Sequence, residues 1–296
     1  MPTTWSVRGR EVSLDHPLVM GIVNVTPDSF SDGGHFFSPG AALAHGAKLL
    51  AEGADILDVG GESTRPQGAE PVSVEEERRR VLPVIRALHA EHPDALLSID
   101  TMKSAVADAA IEAGVHIVND VSGMRLDGEM VSVCARTKVG VVLMHSRGGV
   151  EDMATYAHAV YANDPLDEVL DELGERVEIA LEHGVARERI AVDPGIGFGK
   201  RGAHSLRLLA CLERVAEWDL PVMVGVSRKR FLGEITGVMD PAQRVYGSIG
   251  AAVAAYDRGA RIFRVHDVAA TRQALDVAAA IRRAGADASF GREPRR

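Results

Sequence analysis

The chain has 296 residues, 46% hydrophobic and only 4% aromatic, with a net charge of -9 and a pI of about 5.7. That length suits one α/β barrel, and a core built of Ala, Val, Leu and Ile argues against an aromatic-rich β-sandwich. An acidic balance with no long basic run argues against nucleic acid or an anionic membrane as partner, and no segment nears the ~18 apolar residues of a membrane span.

The opening MPTTWSVRGREVSLDH is polar and lacks the apolar stretch of a signal peptide. The first strand pattern is LVMGIVNVT (18–26). It runs into PDSFSDGG, twice the length a turn requires, so this stretch reads as a loop with a task. Ser38-Pro39 then opens a helix that Gly53 closes. A second strand, ADILDVGG (54–61), is followed by Ser73 and Glu76, read as a capping box before a basic and apolar helix.

The third strand is ALLSIDT (95–101), with Thr101 as cap of a helix closing at Gly114. VHIVNDVS (115–122) and VGVVLMHS (139–146) follow. Cys134 and Cys211, the only cysteines, sit among apolar neighbours in helix-like sequence and read as buried free thiols of a cytoplasmic protein. The longest interruption, SRGGVEDMATYAHAVYAN (146–163), precedes a helix from Asp164-Pro165 to near Gly184. Next come RIAVDPG (189–195) and LPVMVGVS (220–227). Asp240-Pro241 opens a helix ending near Gly259, and ARIFRVHD (260–267) is the eighth strand. The last helix spans about Val268 to Ala284 with Gly285 after it, and 286–296 is a polar tail.

Several of these strands are apolar throughout, as parallel strands covered on both faces must be. Eight strands alternating with helices predict a single-domain (β/α)8 TIM barrel over 1–296, its core at about 17–285 and its long loops after strands one, two and five. A doubly wound open sheet is the runner-up.

Barrel enzymes of this kind place their chemistry at the carboxyl ends of the strands. Those ends here carry Asn24, Asp58, Asp100-Thr101, Asn119-Asp120, Met144-His145-Ser146, Asp193, Ser227-Arg228-Lys229-Arg230 and Arg264-Val265-His266-Asp267. Helix capping accounts for Thr101 and Asp267. It does not account for Asp100, Asn119, Asp193, Lys229, Arg264 and His266 together, since Lys and Arg make poor N-caps. Carboxylates and an amide suit a planar heterocycle whose edge offers parallel N–H donors. Lys229 suits a ring carbonyl, Arg264 and His266 suit an anion, and Asn24 offers a neutral oxygen for Mg²⁺ beside a polyphosphate.

The segments VMGIVNVTPDSFSDGG, ILDVGGESTRP, LSIDT, IVNDVSG, DPGIGFGK, VGVSRKRFLG and RVHDV occur in this order. Together they closely resemble the dihydropteroate synthase family over roughly residues 17–285. The resemblance implies condensation of 6-hydroxymethyl-7,8-dihydropterin diphosphate with 4-aminobenzoate, giving 7,8-dihydropteroate and pyrophosphate. It also implies a Mg²⁺ requirement, competition by sulfonamides, and a homodimer. By the same resemblance, Asp100, Asn119, Asp193 and Lys229 hold the pterin, with Met144 and Phe198 on the pocket walls. Arg264 covers a pterin face and reaches the diphosphate, which Asn24, Thr64 and His266 also contact, Asn24 with the metal.

The first loop would close over the mouth before ionisation, with Asp28 or Asp32 near the cationic carbon and Phe30 walling the 4-aminobenzoate pocket. Loop anchoring by Phe30 and turn formation by the two Asp are the plainer readings. Thr64, Arg65 and Pro66 would complete that pocket with Lys229 and Arg230. Two departures stand out: Gln67 is an extra residue in STRPQGAEP, and Arg230 replaces a common Ser, its backbone N–H serving the aminobenzoate carboxylate. A pterin-binding methyltransferase working with a corrinoid protein would have no use for the diphosphate residues or the two loop signatures. A non-catalytic pterin-binding paralogue would lack one of Asn24, Lys229, Arg264 or His266, and all are present.

Overall fold

A computed structural model describes residues 2–26, 39–63 and 71–286 of the chain. It begins with a hairpin of β1 (Thr4–Val7) and β2 (Arg10–Ser13), to which the sequence reading assigned no structure. Arg8 and Gly9, both at positive φ, make its two-residue turn, the geometry that matches strand twist. The hairpin's apolar side faces inward. Trp5 and Val7 are wholly buried with Leu18, Met20, Ile56, Ile117, Val142, Ala191 and Ile262, and the Trp5 indole donates to the Arg189 carbonyl at 2.9 Å. It thereby plugs the amino-terminal end of the barrel, and truncating a buried Trp typically costs ~3–5 kcal/mol.

Then strands and helices alternate: β3 (Leu18–Asn24), α1 (Pro39–Ala51), β4 (Ile56–Gly60), α2 (Val74–Glu91), β5 (Leu96–Asp100), α3 (Ser104–Glu112), β6 (Ile117–Asp120) and α4 (Met130–Thr137). The second half holds β7 (Gly140–Met144), α5 (Pro165–Glu182), β8 (Ile190–Asp193), α6 (Gly202–Ala210), α7 (Glu213–Ala216), β9 (Met223–Val224), α8 (Arg230–Thr236), α9 (Val245–Asp257), β10 (Ile262–Val265) and α10 (Val268–Ala286).

Strands β3 to β10 form one parallel sheet in the order β8-β7-β6-β5-β4-β3-β10-β9. A parallel bridge between Val192 and Val222 joins its two ends, so the sheet closes into a barrel with no switch point, and the open-sheet alternative is excluded. β9 is the shortest barrel strand, flanked by Pro221, which has no N–H to give the ladder, and by Gly225.

The helix signals held unevenly. Ser73 accepts from the Glu76 N–H at 3.2 Å, but the Glu76 carboxylate bonds Arg79 and Arg80, so only half of the capping box exists. Thr101 does not cap α3, whose N-cap is Lys103; its hydroxyl accepts from the Lys103 N–H, and the Ser104 N–H goes to Asp127 from a separate loop. Asp240 caps only a short 3-10 turn at Pro241–Gln243, and α9 starts after it. α10 continues through Gly285. Asp267 precedes α10, but its carboxylate pairs with Arg228 at 2.6 and 3.0 Å. Cys134 is buried and Cys211 is only partly so; both are free thiols.

Candidate active site

The strand period places alternate residues on opposite faces, and at each carboxyl end it sorts the polar pair into an inward and an outward member. Asn119 turns inward and donates to Asp58 Oδ2 at 3.0 Å. Its neighbour Asp120 turns outward, where the N–H groups of Ser122 and Met124 and the Ser122 hydroxyl hold its loop. Likewise Met144 joins Met102, Val121 and Met153 in a small apolar cluster against Phe198, while His145 faces away from it.

The centre of the mouth is an ionic network from four strands. Arg264 donates from Nε to Asp58 at 2.6 Å and from a terminal nitrogen to Asp100 at 2.5 Å. Asp58, fully buried, thus accepts from both Arg264 and Asn119 through Oδ2. From sequence alone Asp58 is a strand-end residue with no assigned role. Its signal is a carboxylate inside the otherwise apolar run ILDVG; in the barrel it lies in register with Ser98, two residues before Asp100 on the same side of β5. Oδ1 of Asp58 and Oδ1 of Asn119 are buried acceptors with no hydrogen-bond partner among the described residues. Unmatched acceptors of this kind cost free energy unless a donor arrives, which is what the N–H edge of a heterocycle supplies. Burial and the nearby Asp58 charge hold the Asp100 carboxyl well above its usual range, against the pull of Arg264.

Asp193 and Lys229 form the second half. Asp193 Oδ1 accepts from the Gly195 N–H at 2.7 Å, and the Lys229 ammonium lies 4.1 Å from the centre of the Phe198 ring. Burial lifts the Asp193 carboxyl to about 6 and pushes the Lys229 ammonium down to about 8, each opposed by the charge of the other. Gly195 must be glycine twice over: its φ is +69°, and a Cβ there would sit 1.9 Å from the His145 carbonyl oxygen.

Behind this loop lies Lys200, only 1% exposed, a residue quoted in DPGIGFGK and given no role from sequence. Its ammonium bonds His145 Nδ1 at 2.8 Å and the Phe198 carbonyl at 2.9 Å, and His145 Nε2 meets Glu172 at 3.0 Å. Lys200 thus fastens the segment that carries Asp193 and Phe198 to β7. Burial first, then the Lys200 charge, holds the His145 imidazole down to about 4, so the ring is neutral, and burial likewise pushes the Lys200 ammonium down to about 7.

On the remaining side, Asn24 ends β3 half-buried, in register with Gly60. Ser227 Oγ accepts the His266 backbone N–H at 3.2 Å and pairs with Nδ1 of its ring at 3.1 Å, fixing the imidazole beside the Arg264 strand. Among the described residues no three His, Cys, Asp or Glu side chains come together as a metal cage. One neutral amide oxygen beside cationic groups suits an ion that keeps its waters and arrives on substrate phosphates, as Mg²⁺ does. Asp28, Phe30, Asp32, Thr64, Arg65, Pro66 and Gln67 lie outside the described residues. The chain leading into the second of these stretches is held at Glu62, whose carboxylate takes the Val72 N–H at 2.7 Å and Lys103 at 2.9 Å, with buried Glu77 completing the triad at 2.6 Å.

A closed parallel barrel with paired carboxylates, an amide and a lysine converging on its carboxyl rim defines a barrel enzyme for a polar ring-bearing ligand. Residues 20–266 match the family described as pterin binding enzyme, and the chain belongs to that family. It is 44% identical over 275 residues to the dihydropteroate synthase of Neisseria meningitidis serogroup C, covering 92% of this chain and 95% of the relative. It is also similar to the dihydropteroate synthase of Xanthomonas albilineans solved with 4-aminobenzoic acid: TM-score 0.87, 48% identity, 95% of this chain and 99% of that one covered. The Yersinia pestis dihydropteroate synthase solved with a sulfonamide drug matches at TM-score 0.86 and 41% identity, with 95% and 99% covered.

Proposed function

We infer that the chain catalyses the dihydropteroate synthase reaction: 6-hydroxymethyl-7,8-dihydropterin diphosphate and 4-aminobenzoate give 7,8-dihydropteroate and pyrophosphate. The observation that carries this reading is the convergence of Asp58, Asp100, Asn119, Asp193, Lys229 and Arg264 on one mouth, with His266 and Asn24 at its side. The pterin's amino and ring N–H groups go to Asp193, Asp100 and the unmatched acceptors of Asp58 and Asn119. Lys229 donates to the ring carbonyl, and Met144 and Phe198 supply the walls. Arg264 and His266 face the diphosphate.

The bond between the pterin methylene carbon and the diphosphate oxygen breaks with its electron pair leaving on oxygen. The aniline nitrogen then attacks that carbon and releases its proton. The cation formed in between is delocalised over the pterin, and Asp100 and Asp193 stabilise it electrostatically. Asn24 would hold a Mg²⁺ ion together with the substrate phosphates, and that ion would supply charge neutralisation at the leaving group. Aniline needs no strong base, which fits a site without a nucleophilic triad. Asp28 and Asp32 would face the cationic carbon, while Phe30, Thr64, Arg65, Pro66 and Arg230 would enclose 4-aminobenzoate. Sulfonamides compete for that same pocket.

Purified protein given pterin diphosphate, 4-aminobenzoate and Mg²⁺ is expected to release pyrophosphate and form 7,8-dihydropteroate only when all three are present. Pterin binding without release would assign the chain to non-catalytic pterin binding.

The protein works as a homodimer: Ile235, Met239, Tyr246, Val277 and Ile281 are large apolar residues 58–88% exposed on or beside α8, α9 and α10, a load that a second copy would cover. No helix among the described residues is long and apolar enough to cross a membrane. Free thiols in place of a disulfide support a cytoplasmic setting.

A further inference from the structure

The 146–163 segment between β7 and α5 has no part in the reaction as described, yet it is tied down at both sides of the mouth. Met153 is wholly buried against Met144 and Phe198, and its carbonyl accepts the Gly199 N–H at 2.7 Å. Three residues on, the Tyr156 ring carries the Arg230 guanidinium 3.7 Å from its centre and the Arg201 guanidinium at 5.3 Å. The Tyr156 hydroxyl donates to Glu234 Oε1 at 2.7 Å, and Arg230 Nε lies 3.9 Å from that same oxygen. Gly202 leaves the space for this, since a Cβ there would meet Glu234 Oε2 at 2.7 Å. Two guanidinium groups therefore pack on one tyrosine ring, and one carboxylate meets its hydroxyl, an arrangement with net positive charge. Arg230 is covalently next to Lys229, whose ammonium lies over Phe198 in the pterin pocket.

We propose that Tyr156 is a positioning residue that holds the Arg230 side chain at the rim as the cation recognising the carboxylate of the amine substrate. This rests on the reaction proposed above and adds to it a side-chain charge and the strap that places it. Without the ring and its hydroxyl, Arg230 is a half-exposed side chain with many rotamers, and ordering it on each binding event weakens the contact. The stacked, hydrogen-bonded arrangement removes that cost beforehand.

The test compares 4-aminobenzoate with 4-aminobenzamide, which keeps the amine and ring and lacks the negative charge. Tyr156→Ala should raise KM for 4-aminobenzoate about fivefold, the factor an exposed cation–π contact is worth. The same variant should leave kcat, the KM for pterin diphosphate and the KM for 4-aminobenzamide unchanged. Tyr156→Phe, which keeps the ring face, should show a smaller shift. In an Arg230→Ala background, Tyr156→Ala should add nothing further. An equal rise for acid and amide, a rise that persists without Arg230, or no rise would each overturn the assignment. Should the wild type bind both ligands and not turn over, the reaction fails, while the same acid-over-amide preference, read as binding affinities, still decides the role of Tyr156.

Discussion

Replacing Arg264 with alanine is expected to cost the fold ~3–5 kcal/mol, the range for removing one partner of a buried ion pair. Among the described residues its guanidinium is the one cation hydrogen-bonded to both Asp58, fully buried, and Asp100, whose side chain is 14% exposed. Without it two carboxylates face each other across neighbouring strands at low dielectric. Denaturant melts would measure the loss, which should shrink as the pH falls. The sign follows from Asp100: burial and Asp58 already raise its folded-state value above that of the unfolded chain. A raised carboxyl binds its proton more tightly when folded, so its contribution is present at low pH and is lost as the pH rises through the folded value. A second substitution, Asp58→Asn, should return part of the stability of the Arg264→Ala protein, because it removes one of the two stranded charges. A loss that is independent of pH and of Asp58 would point to packing of the arginine stem instead.

The second large effect is on pterin affinity. Asp193→Asn keeps the shape of the side chain and removes a charged acceptor, and Lys229→Met keeps the stem and removes a charged donor. Each should weaken binding of the pterin diphosphate by about 100-fold, close to 2.7 kcal/mol, within the range for a hydrogen bond to a charged group. Titration calorimetry without 4-aminobenzoate reads this directly, with melting temperatures as the control for folding.

The pH profile carries more information than the single number. In the ligand-free protein the Asp193 carboxylate forms above about 6, and the Lys229 ammonium is lost above about 8. Both charged forms coexist only between those values, so affinity should peak near neutrality and fall on either side. Lys229→Met should abolish the alkaline limb, while Asp193→Asn should keep the alkaline limb and leave an acid limb set by the Asp100 carboxyl, which is also held up by burial. An alkaline limb that persists in Lys229→Met, or an affinity in Asp193→Asn equal to that of the wild type across the whole pH range, would remove the corresponding residue from the pterin site.

The barrel could be read from sequence because parallel strands buried on both faces leave continuous apolar runs, and all eight runs became strands in one sheet. Each proved shorter than its apolar run, because the flanking residues are the rim itself: 54–61 narrowed to Ile56–Gly60 and 189–195 to Ile190–Asp193. The hairpin was missed for a related reason. TWSV and REVS alternate over only four residues each, and nothing in them reveals that Trp5 fills the bottom of a barrel built from distant strands.

At the site, the residues with a charge misplaced for helix capping were visible: Lys229, Arg264 and His266 among them. Asp58, Lys200 and His145 were not given roles, since their importance lies in side-chain partners 27 to 206 residues away in sequence. Thr101 shows the converse error. A threonine after a strand and before a helix invites a cap assignment, but the Ser104 N–H is satisfied by Asp127 from a loop that sequence neighbours do not disclose.

A crystal structure of the protein with a non-hydrolysable pterin diphosphate analogue tests the central claim most directly. The ring edge should lie on Asp193, Asp100 and Asn119 with Lys229 at the carbonyl, and the phosphates should lie against Arg264, His266 and Asn24. A pterin seated away from the carboxyl rim, or turned so that its phosphates meet Asp193, would contradict the account.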